Sequence, residues 1–180
     1  MKIGFIGLGN MGQGMADNLL QKGADLMVFT RSVEKISAMK KKGAKGASSL
    51  EEISKETEII FICLPDIETS IQIVKEIKSY SNNLKIVSDH STVSLSTSLE
   101  CQRLLKEKRV GFLDAPISGG PIGAKDGTLS IMVGGELDDY KMALPYYEMM
   151  GTKVKHMGKN GTGTAMKLIN QLLTAVNTTA

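Results

Sequence analysis

The first residues whose spacing can do chemistry are the glycines of Gly7-Leu8-Gly9-Asn10-Met11-Gly12. An apolar run, Lys2 to Ile6, precedes them, and Met15, Leu19 and Leu20 follow at helical spacing. Strand, glycine turn and helix in that order make an anion cradle. Gly7 permits a tight turn, Gly9 lets the backbone approach a pyrophosphate, and Gly12 lets the helix pack close to the strand. The helix N-terminus adds free N–H groups and the positive end of its dipole. A purely structural glycine turn is the plain alternative. The βαβ context favours a dinucleotide site contacted by all six residues of the loop.

The second strand, Asp25 to Thr30, bears on which dinucleotide fits. An NAD site usually carries an acid there to accept the ribose 2′-hydroxyl. This chain has Thr30-Arg31-Ser32 instead. Arg31 can bind a 2′-phosphate bidentately, with Thr30 and Ser32 as hydroxyl donors. The expectation is NADP(H) in preference to NAD(H); an Arg31 stacked on adenine or simply solvated is the alternative.

Further strands are expected near Lys45 to Ala47, at Glu58 to Leu64, Leu84 to Ser88 and Val110 to Leu113, and helices at Val33 to Lys42, Ile67 to Tyr80 and Ser94 to Lys108. Ser48-Ser49 before Glu51-Glu52 reads as another helix start. Strands alternating with helices predict an α/β fold, a Rossmann-type doubly wound, mostly parallel sheet. Gly120-Pro121 and Gly123 are expected to break the chain, before a strand at Thr128 to Val133, a helix at Leu137 to Met150 and a last strand at Thr152 to His156. The dinucleotide-binding domain is expected over residues 1–160, and the start of a long interdomain helix over 161–180.

Composition narrows the classes. The chain has 180 residues, 42% of them hydrophobic and 23% charged, which suits one sizeable domain. A net charge of +3, with no basic stripe interleaved with aromatics, argues against nucleic acid. Cys63 and Cys101 form no ligand spacing, His90 and His156 are isolated, and no metal site is expected. No apolar run is long enough for a membrane span and no signal segment precedes the first strand, so a cytoplasmic enzyme is expected.

A second motif, Asp114-Ala115-Pro116-Ile117-Ser118-Gly119-Gly120-Pro121-Ile122-Gly123-Ala124, runs on to Gly127-Thr128-Leu129. It resembles the substrate signature of the β-hydroxyacid dehydrogenases, which include 3-hydroxyisobutyrate dehydrogenases, tartronate semialdehyde reductases and glyoxylate/succinic semialdehyde reductases. The opening glycine loop, with Met15-Ala16 and Asn18-Leu19, is similar to theirs. So is Gly161-Thr162-Gly163 followed by Lys167 and Asn170. The resemblance spans the whole chain.

The resemblance implies hydride transfer between NAD(P) and a small β-hydroxyacid or its semialdehyde or 2-oxoacid counterpart. Lys167 is then the general acid/base, with Ser118 and Asn170 beside it. Ser118, Gly119 and Gly120 would hold the substrate carboxylate as an anion nest, although the residues alone fit a glycine-rich turn equally well. An ammonium suits the role of Lys167, because it can protonate and stabilise a developing alkoxide, and burial would lower its pKa toward a working value. The family often has Asn at the fourth residue after this lysine; here Asn170 is the third and Gln171 the fourth, and either amide could meet the substrate. By the same resemblance Leu64 and Pro65 pass the cofactor and Ser91-Thr92 match the nicotinamide-side loop, with Thr92 as the contact; Asp89, just before them, reads as a residue that caps or turns the chain.

Met166, Ile169, Leu172, Leu173 and Val176 form an apolar stripe on the lysine-bearing segment, opposite Lys167, Asn170, Gln171 and Thr174. With no cap before Ala180, the chain is expected to be a piece of a longer enzyme and to form a homo-oligomer through this helix or a further helical domain. Two other readings fit the same residues: a non-catalytic dinucleotide-binding module, and a decarboxylating enzyme like 6-phosphogluconate dehydrogenase. Retention of Ser118 and Lys167 argues against the module.

Overall fold

A computed structural model describes residues 1–179. In chain order the elements are β1 (Lys2–Ile6), α1 (Gly12–Gln21), β2 (Asp25–Phe29), α2 (Val33–Lys41), β3 (Lys45–Gly46), α3 (Leu50–Glu56), β4 (Ile59–Ile62), α4 (Ile67–Tyr80), β5 (Ile86–Asp89) and α5 (Leu95–Lys106). There follow β6 (Gly111–Asp114), β7 (Ile117–Ser118), α6 (Gly120–Asp126), β8 (Leu129–Gly134), α7 (Leu137–Met150), β9 (Gly151–Gly158) and α8 (Thr162–Thr179).

The strands form one sheet in the order β3-β2-β1-β4-β5-β6-β8-β7, with β9 on the far side of β8. The first six are parallel, as expected of doubly wound βαβ units, and their order reverses between β1 and β4. Such a reversal leaves a crevice at the carboxyl ends of the strands, where ligands bind. β8 then runs antiparallel to β6 and β7, and β9 parallel to β8.

Burial on both faces explains the apolar runs. Ile60, Ile62 and Val87 pack with Ile53, Val74, Ile77, Cys101 and Leu105 of α3, α4 and α5. Phe5, Phe61 and Ile131 pack on the other face with Met15, Leu19, Ala143 and Tyr147 of α1 and α7. Four helices start on a side-chain cap: Ser32, Ser49, Asp66 and Ser94 accept the N–H groups of Lys35, Glu52, Thr69 and Thr97. By contrast α1 opens at Met11 with no side-chain cap.

One expectation is corrected. Gly120, Pro121 and Gly123 do not break the chain; they lie in helix α6. Pro121 sits in the first turn, where its missing N–H forfeits no intrahelical bond, and Gly127 ends the helix in the left-handed region at φ 67°. Asn18 holds this end to α1, its Nδ2 donating to the carbonyl oxygens of Ala124 at 2.8 Å and Lys125 at 3.1 Å. A Cβ on Gly14 would stand 2.8 Å from the Ala124 backbone, so only glycine allows the two helices this contact.

Among the described residues, no helix is long and apolar enough to cross a membrane, and no cluster of three or more His, Cys, Asp or Glu is arranged to hold a metal.

Candidate active site

A cleft of about 580 Å³ lies over the carboxyl ends of β1, β2 and β4. All six residues from Gly7 to Gly12 line it, together with Thr30, Arg31, Leu64 and Pro65. The three glycines serve three different needs. Gly7 has φ 97°, and a Cβ there would stand 2.2 Å from the Cys63 carbonyl oxygen. A Cβ on Gly12 would lie 1.9 Å from the carbonyl oxygen of Gly7, so helix and loop touch backbone to backbone. A Cβ on Gly9 would meet nothing within 4 Å; bareness there serves whatever enters the cleft. An uncapped helix start, an open glycine and a cation on the next strand's loop together fit a dinucleotide.

Below this loop, the Cys63 thiol is pushed up to about 12, by burial first and then by the charge of Asp89, and is unreactive. Two expected contacts stand apart from the cleft lining. The Ser32 hydroxyl is engaged at the start of α2, donating to Glu34 at 2.7 Å and accepting from the Lys35 N–H. Thr92 is exposed on the loop after β5. Conversely, Lys35 lines the cleft, with its Nζ donating to the Leu8 carbonyl at 2.7 Å. A sequence signal for it was available: Lys35 lies in the first turn of the helix that directly follows Thr30-Arg31-Ser32.

The second group of residues gathers where α8 crosses the end of β6. Asp114, β7 and β8 share one antiparallel register, pairing Asp114 with Gly134, Ile117 with Ile131 and Ser118 with Ser130. Ser118 is therefore held in the sheet, while Gly119 at φ 135° and Gly120 at φ 63° turn the chain into α6. From α8, the Asn170 amide reaches Ser118 Oγ at 3.5 Å, a long contact. Gln171 is exposed, so Asn170 is the amide on the Ser118 side. Lys167, one turn before Asn170, is only 8% exposed, and desolvation lowers its pKa from the usual lysine value. No carboxylate among the described residues forms an ion pair with it.

Asp114 is the residue whose work the motif concealed. Its Oδ1 accepts the Gly161 N–H at 2.7 Å and its Oδ2 the Thr164 N–H at 2.8 Å. One buried carboxylate thus caps the start of α8 from a remote strand. Gly163 makes the crossing possible, since a Cβ there would lie 2.4 Å from the carbonyl oxygens of both Asp114 and Met132. His90 is structural, as expected: its Nδ1 lies 2.7 Å from the Ala115 carbonyl and its ring stacks on Phe61. Burial lowers its pKa to about 4, which keeps it neutral.

This fold and site define a class. The chain belongs to the family of the NAD-binding domain of 6-phosphogluconate dehydrogenase, whose model matches residues 2–158. Particular relatives are hydroxyacid enzymes. The chain is 38% identical to a probable mitochondrial 3-hydroxyisobutyrate dehydrogenase of Dictyostelium discoideum, the match covering 97% of this chain and 56% of that protein. It is 36% identical to the 2-hydroxy-3-oxopropionate reductase of Escherichia coli, over 98% of this chain and 61% of that protein. A solved structure of 3-hydroxyisobutyrate dehydrogenase from Mycobacterium tuberculosis, with L-serine, superposes with a TM-score of 0.93 at 32% identity, over 97% of this chain and 60% of that one. The chain spans about three fifths of the length of these relatives.

Proposed function

We propose that the protein built on this chain is an oxidoreductase that moves a hydride between NAD(P) and a small β-hydroxyacid or its semialdehyde or 2-oxoacid counterpart. The observation that carries the reading is Lys167, buried on α8 with a pKa lowered by desolvation, one turn from the Asn170 that reaches Ser118. Relatives named as hydroxyacid dehydrogenases and reductases support it.

The glycine loop and the uncapped N-terminus of α1 hold the pyrophosphate, and the loops after β4 and β5 pass the nicotinamide half. When bound, the nicotinamide supplies the hydride for reduction and takes it up in oxidation. Ser118 and the N–H groups of Gly119 and Gly120 hold the substrate carboxylate. In reduction the Lys167 ammonium gives its proton to the carbonyl oxygen as that oxygen becomes an alkoxide; in oxidation the neutral amine removes the hydroxyl proton. Asn170 orients the same oxygen. Burial without an acidic partner lowers the lysine's pKa from its usual value and so favours the amine form.

The finer features of the reading have their own supports. Arg31 and Lys35, with no acid among Thr30-Arg31-Ser32, favour NADP(H) over NAD(H). Residues from 161 onward begin an interdomain helix, in keeping with a family match that stops at 158. The exposed stripe of α8, with Leu172 and Leu173 more than half exposed, joins two copies into a homo-oligomer. Both thiols are free, which suits the cytoplasm.

An NADPH-linked screen of glyoxylate, succinic semialdehyde, tartronate semialdehyde and methylmalonate semialdehyde tests the activity. Oxidation of NADPH with at least one of them is expected. Turnover of none, or carbon dioxide released from a phosphorylated sugar acid instead, would overturn it.

A further inference from the structure

The loops after β4 and β5 leave adjacent parallel strands, paired Ile62 with Asp89 at their ends. In a doubly wound sheet, β1 to β3 serve the adenosine half of a dinucleotide and β4 to β6 the nicotinamide half. Leu64 and Pro65 form part of the cleft wall, yet the Leu64 N–H has no partner within the sheet. It donates instead to Ser91 Oγ at 2.9 Å, across from the neighbouring loop. The Ser91 N–H in turn donates to Asp89 Oδ1 at 2.8 Å. Asp89 and Ser91 are both buried, at 2% and 5% exposure. The Ser91 side chain also hydrogen-bonds the Asp89 carboxyl, so the same residue fixes both the backbone and the hydroxyl of Ser91.

We propose that Asp89 and Ser91 are positioning residues for the dinucleotide, setting the spacing of the two loops and holding the Leu64–Pro65 backbone against its nicotinamide half. The proposal rests on the dinucleotide reading and goes beyond it, because neither side chain need touch the cofactor. An Asx-type turn serving only stability is the competing account, and it predicts no difference between the two halves of the ligand.

The chain of bonds also says which atoms matter. Ser91 is needed for its oxygen, as an acceptor. Asp89 acts on the loop through Oδ1, the oxygen that accepts the Ser91 N–H. Burial holds the Asp89 carboxyl above its ordinary range. Asn supplies the same acceptor without the charge.

The test compares binding of NADPH with binding of adenosine 2′,5′-bisphosphate, which carries the adenosine half alone (NADH and ADP are the corresponding pair for an NAD-preferring protein). Titrations are made on the whole chain, with thermal melting as the check on folding. Ser91→Ala is expected to weaken NADPH about tenfold, as for loss of one hydrogen bond to a part-buried N–H. It leaves the bisphosphate within about twofold on the same reasoning, and Ser91→Thr restores NADPH binding. Asp89→Asn retains binding of both ligands, and Asp89→Ala behaves like Ser91→Ala. If Ser91→Ala does not fold, Ser91→Cys keeps the volume with a poor acceptor and is expected to show the same selective loss. Equal weakening of both ligands, no weakening of either, or a selective loss in Asp89→Asn would overturn the proposal. An unaltered protein that binds neither ligand would instead overturn the dinucleotide reading, and the relay with it.

Discussion

The Asp114 carboxylate accepts the Thr164 N–H at 2.8 Å, and through this bond the strand leading to Ser118 holds the helix carrying Lys167. Ser118 lies four residues after Asp114, and Lys167 three residues after Thr164. The separation between the two site residues is thus set by one buried side chain and by the glycine crossing at Gly163.

Asp114→Ala leaves two buried N–H groups, of Gly161 and Thr164, without their acceptor. At roughly 1–3 kcal/mol for each such group, a loss of about 2–6 kcal/mol of stability is expected, read by urea denaturation. Activity should fall further than the folded fraction does, because α8 loses its anchor. Wild-type turnover in the folded variant would contradict this role.

The glycine loop offers an internal contrast. Gly12→Ala brings a methyl group to 1.9 Å from a backbone oxygen, and the protein should lose its fold or much of its stability. Gly9→Ala meets no protein atom within 4 Å and should melt like the parent while binding cofactor poorly. Thermal melts paired with NADPH titrations separate the two outcomes; tight binding by a well-folded Gly9→Ala would remove the pyrophosphate from that place.

Cofactor choice is read from Arg31 and Lys35. Replacing either with Ala should raise the Kd for NADPH by about ten- to a hundredfold, the worth of a charge-assisted hydrogen bond, and change NADH little. A parallel loss for both cofactors would mean that neither cation meets a 2′-phosphate.

Two pH dependences share one origin, burial, and run in opposite directions. Desolvation lowers the Lys167 pKa, so reduction, which uses the ammonium, should decline as pH rises through a value below the usual lysine range; oxidation, which uses the amine, should rise through the same value. Burial raises the Asp89 pKa, so the folded state binds its proton more tightly than the unfolded state. Its contribution to stability is therefore fully present below the ordinary carboxylate value and is lost as pH climbs to the raised one. Asp89→Asn should be more stable than the parent at neutral pH, and the advantage should vanish near about pH 3, below the unfolded pKa. Denaturation curves at the two pH values provide the comparison.

The parallel half of the fold was legible because its signals are local. The helix expected from Ile67 to Tyr80 has those bounds in the structure, with Asp66 as its cap, and the helix from Leu137 to Met150 is also as expected. The region after Gly119 was less legible. α6 contains two glycines and a proline, and it is held by Asn18, more than a hundred residues away, which no local pattern reveals. β7 has only two residues, too few for any periodicity. In the site, the glycine loop and Arg31 were readable from type and spacing. The choice of Asn170 over Gln171, and the cap made by Asp114, depend on which way side chains point across distant elements.

The stripe of Met166, Ile169, Leu172, Leu173 and Val176 is exposed in the single chain. Light scattering is expected to give a mass above that of one copy, and Leu172→Glu to shift it toward the monomer. A strict monomer at every concentration would end the idea that this face joins two copies.

The most direct measurement is NADPH-linked reduction of the best semialdehyde by Lys167→Ala, alongside its NADPH dissociation constant. The account predicts that kcat falls about a hundredfold or more, the range for loss of a general acid, with cofactor binding unchanged. An unchanged kcat would contradict it and take the acid/base role away from Lys167.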